Sequence, residues 1–190
     1  MILCSISLSA YGQQEEESIR FLIVIHSMQP ITTNTFFFSF LQISLILLQE
    51  RLVLAVFYYA TGGDQWSASS TNWLTATHHK NWYGVTTDSR TNWQLQLSLD
   101  HNSLRGSIPT EIGNLTSLKG LFLKNNYLSG SIPTQIGSLT SLQFFYLYDN
   151  TLSGSIPDGV CDLNPGNFYL QADCVNCNLS KAGCCYNYCP

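Results

Sequence analysis

The string Asn-x-Leu-x-Gly-Ser-Ile-Pro occurs three times in this chain at a fixed interval. Asn102, Asn126 and Asn150 stand 24 residues apart, and Pro109, Pro133 and Pro157 keep the same step. A unit that short has no second layer to bury its own apolar side chains. It is stable only when stacked on copies of itself, so a constant period of this size specifies a solenoid.

Aligned on the asparagine, the segments before it read Leu97-Ser98-Leu99, Leu121-Phe122-Leu123 and Phe145-Tyr146-Leu147. Apolar residues alternate over a few positions, which predicts short strands with one buried face. Asn102, Asn126 and Asn150 follow the strands, where the chain turns. Their amides can satisfy backbone groups that the turn leaves unpaired, forming a ladder of like side chains. Leu104, Leu128 and Leu152 are expected in the core, Gly106, Gly130 and Gly154 at tight bends, and Ile112, Ile136 and Val160 on the convex side.

Four regions follow. Residues 1–46 read as a leader or a misplaced gene start, since the apolar run Phe36–Leu48 is shorter than the ~20 residues a membrane span needs and lacks a clear cleavage site. A tether through residues 21–48 stays open. Residues 47–93 form a helix and a tryptophan-rich cap. In the helix, Leu48, Leu52, Ala55, Val56 and Tyr59 recur at helical spacing opposite Gln49, Glu50 and Arg51, and Gly62-Gly63 ends it. Trp66, Trp73, Trp82 and Trp93 suit a cover for the open end of a stack. Residues 94–160 are the three repeats. Residues 161–190 are a degenerate repeat, with a strand over Phe168–Ala172, and a cysteine-rich end.

Charged residues make up 11% of the chain and the net charge is −4, so it lacks the basic footprint of a nucleic-acid binder. Cys161, Cys174, Cys177, Cys184, Cys185 and Cys189 crowd the tail. Three disulfides use all six thiols, whereas a zinc site would leave two over, so the cluster reads as a disulfide staple with no metal. Their pairing is not readable from spacing. Asn114-Leu115-Thr116 and Asn178-Leu179-Ser180 are glycosylation sequons that fit a secretory route, placing the protein outside the cell or at its surface. His78-His79 beside Asp88 reads as a solvated loop, because no nucleophile or carboxylate pair accompanies it. No catalytic residue and no cofactor are expected.

The repeats resemble plant-type extracellular leucine-rich repeats, Leu-x-x-Leu-x-Leu-x-x-Asn-x-Leu-x-Gly-x-Ile-Pro, over Gln94 to Val160. Thr61-Gly62-Gly63-Asp64-Gln65-Trp66 and Trp82-Tyr83-Gly84-Val85 resemble the N-terminal cap of secreted or receptor-like members of plants and algae. The resemblance implies an α/β, right-handed leucine-rich repeat solenoid with a short parallel sheet on its concave face, a helical N-cap and a cysteine-rich C-cap. It implies binding rather than catalysis. The family's cysteine pair around Trp-x-Gly-Val is replaced by Lys80 and Thr87. A native disulfide contributes ~2–4 kcal/mol, so this cap is expected to be the softer end. A step of 24 beyond Asn150 places Cys174 at a fourth ladder position.

Strand alternation then identifies the exposed columns. They are Gln96, Gly120 and Phe144; Ser98, Phe122 and Tyr146; Asp100, Lys124 and Tyr148; and His101, Asn125 and Asp149. Phe122, Phe144, Tyr146 and Tyr148 form an aromatic patch rimmed by Lys124, Asp100 and Asp149, the composition of a binding hot spot. The alternative is that the rings merely cover one another. Three repeats present only ~15 Å of concave height, which suits a peptide, a glycan or part of a protein surface. The expected partner is therefore a protein, peptide or carbohydrate and not a nucleic acid. Inhibition of a secreted cell-wall hydrolase, as in some plant members, and a purely structural repeat fragment are the alternatives.

Overall fold

A computed structural model describes residues 35–67, 70–87, 95–163 and 168–173, with side chains from Leu45 onward. The chain divides into two units, residues 1–43 and 44–190, and every described strand lies in the second. Helix α1 spans Thr35–Ala60. Among the described residues no helix is long and apolar enough to cross a membrane.

The repeats build two sheets. The larger contains β1 (Val85–Thr87), β2 (Leu95–Ser98), β4 (Leu118–Phe122), β6 (Phe144–Tyr146) and β8 (Tyr169–Gln171) in that order. All its neighbours are parallel except β1, which lies antiparallel on β2. The smaller contains β3 (Arg105–Gly106), β5 (Tyr127–Ser131) and β7 (Thr151–Ser153), also parallel. Between the sheets, each coil passes through a 3₁₀ turn, Thr110–Asn114 and Thr134–Ser138, or the short helix α2, Asp158–Cys161.

Identical positions of successive coils share one core. Leu97, Leu121 and Phe145, then Leu99, Leu123 and Leu147, are fully buried, as are Leu104, Leu128, Ile112, Ile136 and Val160. Gly106, Gly130 and Gly154 hold φ of 84°, 77° and 76°, a backbone that a side chain strains.

The asparagine ladder is present. Asn126 Oδ1 accepts the backbone N–H of Asn102 at 2.9 Å and of Leu104 at 3.0 Å. Its Nδ2 donates to the carbonyls of Leu99 and Leu123, 2.9 Å each. Asn150 repeats the pattern with Leu128 N–H and the carbonyls of Leu123 and Leu147. The last turn departs from the period. Phe145 pairs with Leu170 and Tyr146 with Gln171, a step of 25 in place of 24. Asp173 meets the next orphan donors, its carboxylate accepting the N–H groups of Asp149 at 3.0 Å and Asn150 at 3.4 Å. The ladder place expected at Cys174 lies outside the described residues.

The helix faces inward differently from the expectation. Of the expected stripe Ala55 is buried and Val56 half-buried, but Leu48, Leu52 and Tyr59 are exposed, and Val53, Leu54 and Phe57 are buried instead. α1 is apolar nearly all round, so its period leaves the buried stripe ambiguous. What fixes it is polar: Glu50 and Arg51 turn inward because partners meet them there. The Glu50 carboxylate accepts the Ser117 hydroxyl and lies 3.2 Å from His79 Nε2. Arg51 donates to the Thr75 carbonyl and lies 5.5 Å over the Trp82 ring. Thr61 then ends the helix, its hydroxyl bonding Phe57 O while its carbonyl takes Trp66 Nε1 and Arg105 N. Trp66, Trp73 and Trp82 pack ring to ring at 4.9 and 5.1 Å. Trp93 lies outside the described residues.

His79, expected in a solvated loop, is 2% exposed. Helix, loop and second repeat are thus fastened around Glu50, next to Lys80, where the cysteine pair is missing. Burial pushes the Glu50 carboxyl up, but contact with His79 and the Ser117 hydroxyl outweighs it and holds the group below its ordinary value of 4.5. His79 Nε2 lies close to the Glu50 carboxylate, and no well-aligned partner competes for it among the described residues. A depressed folded value means stability that is present above pH 4.5 and lost as pH falls through the lower folded value. Thermal midpoints of wild type and Glu50→Gln, measured from pH 7 downward, are therefore expected to converge below pH 4.5.

Candidate functional site

The larger sheet turns one face to the core and leaves the other open. Register alignment places Gln96, Gly120, Phe144 and Tyr169 in one open row, and Ser98, Phe122, Tyr146 and Gln171 in the next. The aromatic patch expected from the repeats is therefore assembled, with Phe122, Phe144, Tyr146 and Tyr148 half-buried. Tyr169, 48% exposed, extends it by one strand. The sequence reading missed Tyr169 because the step into β8 is 25 and not 24.

The rings do cover one another in part. Phe144 stacks on Tyr169 at 5.5 Å and 10°, and Phe122 lies nearly parallel to Phe144 at 6.3 Å and 22°. Tyr146 stands across both, 5.2 Å from Phe122 and 6.4 Å from Phe144 at steep angles. The geometry follows from a glycine. A Cβ at Gly120 would lie 2.5 Å from the Phe122 ring tip, so that ring leans over the empty place and reaches Phe144.

The rim is charged and fixed. Lys124 Nζ sits 5.7 Å over the Tyr148 ring. A hydrogen bond with Tyr148 and the nearby Asp100 carboxylate hold the ammonium above the ordinary lysine range. Asp100 accepts the Lys124 N–H at 3.0 Å, and burial pushes its carboxyl up despite the neighbouring ammonium. Ser98 is exposed beside Phe122. His101, Asn125 and Asp149 have φ of 54°, 55° and 56°. Histidine, asparagine and aspartate tolerate this left-handed turn better than other side chains, so the turn by itself accounts for that column's composition.

Away from this face, Asn114 is exposed at the end of its 3₁₀ turn, with Thr116 also exposed. Cys161 is disulfide-bonded. Cys174, Cys177, Cys184, Cys185, Cys189 and Asn178, with Asp88, lie outside the described residues. No group of three metal-ligating side chains occurs among the described residues.

The leucine-rich repeat family model matches residues 95–115, 117–139 and 141–163. No curated protein matches the sequence. Among solved structures, the ectodomain of BIR2 from Arabidopsis thaliana is 26% identical with a TM-score of 0.51, covering 64% of this chain and 68% of that one. The structure of PEPR1–AtPEP1 is 27% identical with a TM-score of 0.50, covering 65% of this chain. This chain spans only 18% of the latter's length. Repeats, sheet and neighbours agree: residues 95–163 carry leucine-rich repeats, and the chain is similar to plant ectodomains such as that of BIR2.

Proposed function

We propose that this protein is an extracellular binding module that takes a peptide or a protein surface on the open, concave face of its larger sheet, without chemistry. The observation that carries the reading is the cluster of half-buried rings on that face, placed over fully buried Leu121, Leu123, Phe145 and Leu147. Buried leucines behind the sheet hold the rings rigid, which lowers the entropy lost when a partner docks. Aromatic residues with a charged rim are the side chains that dominate binding energy in small interfaces. The related PEPR1 was solved together with AtPEP1, which supports a polypeptide ligand here. A glycan is the competing ligand.

In this reading α1 and the tryptophan cluster cap the first coil of a right-handed solenoid, as the antiparallel pairing of β1 on β2 suggests. The cysteines of residues 161–190 close the last coil. Phe122, Phe144, Tyr146 and Tyr148 make the contact surface, with Lys124, Asp100, Ser98 and the turn residues His101, Asn125 and Asp149 at its border. The test is a selection of displayed random peptides, run beside an array of neutral oligosaccharides, on immobilised protein. Recovered peptides that no longer bind after Phe122→Ala/Tyr146→Ala support the reading. Ligands indifferent to that change place the site elsewhere.

A secretory route makes a separate expectation. Protein from a eukaryotic secretory host should carry a glycan on Asn114 that Asn114→Gln removes, seen as a drop in intact mass after correction for the substitution. Unmodified Asn114 in secreted material contradicts it.

A further inference from the structure

We infer that Gly120 is a specificity-determining residue of the open face: it makes Phe122, Phe144 and Tyr169 a single stack that offers ring rims, and so selects a polypeptide over a neutral glycan. The inference rests on the concave face being the binding site, as proposed above. Gly120 stands between Gln96 and Phe144 in its row, the one place in that row without a side chain. Its missing Cβ would meet Phe122 Cε2 at 2.5 Å, Phe122 Cζ at 3.0 Å and Gln96 Cγ at 3.5 Å. Phe122 belongs to the neighbouring row, yet its ring lies over Gly120.

Two consequences follow from that shift. The parallel rings of Phe144 and Tyr169, at 5.5 Å and 10°, and of Phe122 and Phe144, at 6.3 Å and 22°, cover one another's faces. Aromatic faces are electron-rich and rims carry the positive C–H edge. A pyranose stacks its C–H groups on an open ring face, and here the facing sides of the three rings are partly covered by one another. Rims instead accept carbonyl oxygens and apolar side chains, which an extended peptide supplies along its length. Tyr146, perpendicular to Phe122 and Phe144, braces the stack from the next row.

The experiment uses the full chain and a peptide recovered by display selection on wild-type protein, with cello- and xylo-oligosaccharides as the neutral probes. Gly120→Ala displaces only the tip of a side chain, so its circular dichroism should match wild type. Its affinity for the peptide should fall about tenfold, the order expected when an aromatic contact is lost. Gln96→Ala, in the same row, should stay within about twofold of wild type. Phe122→Leu keeps Gly120 and removes the ring, and should lose as much as Gly120→Ala; it carries the test should the alanine variant fold poorly. Unchanged affinity in folded Gly120→Ala and Phe122→Leu overturns the role of the stack while leaving the binding face in place. Neutral oligosaccharide binding that depends on Phe122 and Tyr146 overturns the selectivity. Recovery of no peptide at all overturns the polypeptide reading of the face itself.

Discussion

Asn126→Ala should unfold or nearly unfold this protein at room temperature. The amide is buried, 6% exposed, and joins two coils. Its loss removes the acceptor of the Asn102 and Leu104 N–H groups and the donor to the Leu99 and Leu123 carbonyls. Each buried group left without a partner costs ~1–3 kcal/mol. Three such groups are left, since the Leu123 carbonyl keeps Asn150 Nδ2, and they come to ~3–9 kcal/mol against a total stability of ~5–15 kcal/mol for a domain. Alanine cannot collapse into the gap, because the orphaned groups are fixed by strands on both sides. Urea or thermal denaturation followed by circular dichroism reads the effect directly. Ser138→Ala, on the exposed end of a 3₁₀ turn, should shift stability by less than ~0.5 kcal/mol. Equal small shifts for both variants would contradict the ladder.

The second large effect concerns binding rather than folding. Phe122→Ala together with Tyr146→Ala should weaken a selected peptide ligand by a hundredfold or more, about 1.4 kcal/mol or more per residue. Both side chains project from the face opposite Leu121, Leu123, Phe145 and Leu147, which are fully buried. Their removal leaves that core intact and forfeits only ring-to-ring contacts worth ~0.5–1.5 kcal/mol each. Titration calorimetry beside a thermal melt separates the two quantities. Affinity should collapse while the melting midpoint falls by a few degrees. A variant that melts far lower and binds normally would reverse the assignment of these rings.

Much of this was legible in the repeats. A period of 24 with asparagine after each strand dictates coil stacking, and the buried and open rows follow from alternation alone. Legibility failed where the period broke. The step of 25 into β8 hid Tyr169, and the last capping role falls to Asp173, a carboxylate with two acceptor oxygens one place before the expected Cys174. It failed again in α1, whose sequence is apolar on every side. There the buried stripe is chosen by Glu50 and Arg51, polar residues whose partners Ser117 and Thr75 lie 67 and 24 residues away. No local pattern carries contacts of that range. The lean of Phe122 over Gly120 is of the same kind, since it depends on which row lacks a side chain.

The soft N-terminal end expected from the absent cysteine pair is also qualified by the structure. Glu50 and Arg51 fasten helix, loop and repeat with polar contacts, part-buried at Ser117 and exposed at Thr75. That fastening responds to pH, through the depressed Glu50 carboxyl, where a disulfide would respond to reductant.

The most direct test of the open face is tyrosine modification mapped by mass spectrometry, with and without a selected peptide bound. Tyr59, Tyr83, Tyr127 and Tyr169 are all well exposed, and Tyr146 is half-buried on the proposed face. Bound peptide should shield Tyr146 and Tyr169 and leave Tyr59, Tyr83 and Tyr127 reacting as before. Shielding of Tyr127, on the smaller sheet, with Tyr146 and Tyr169 unchanged would contradict the account.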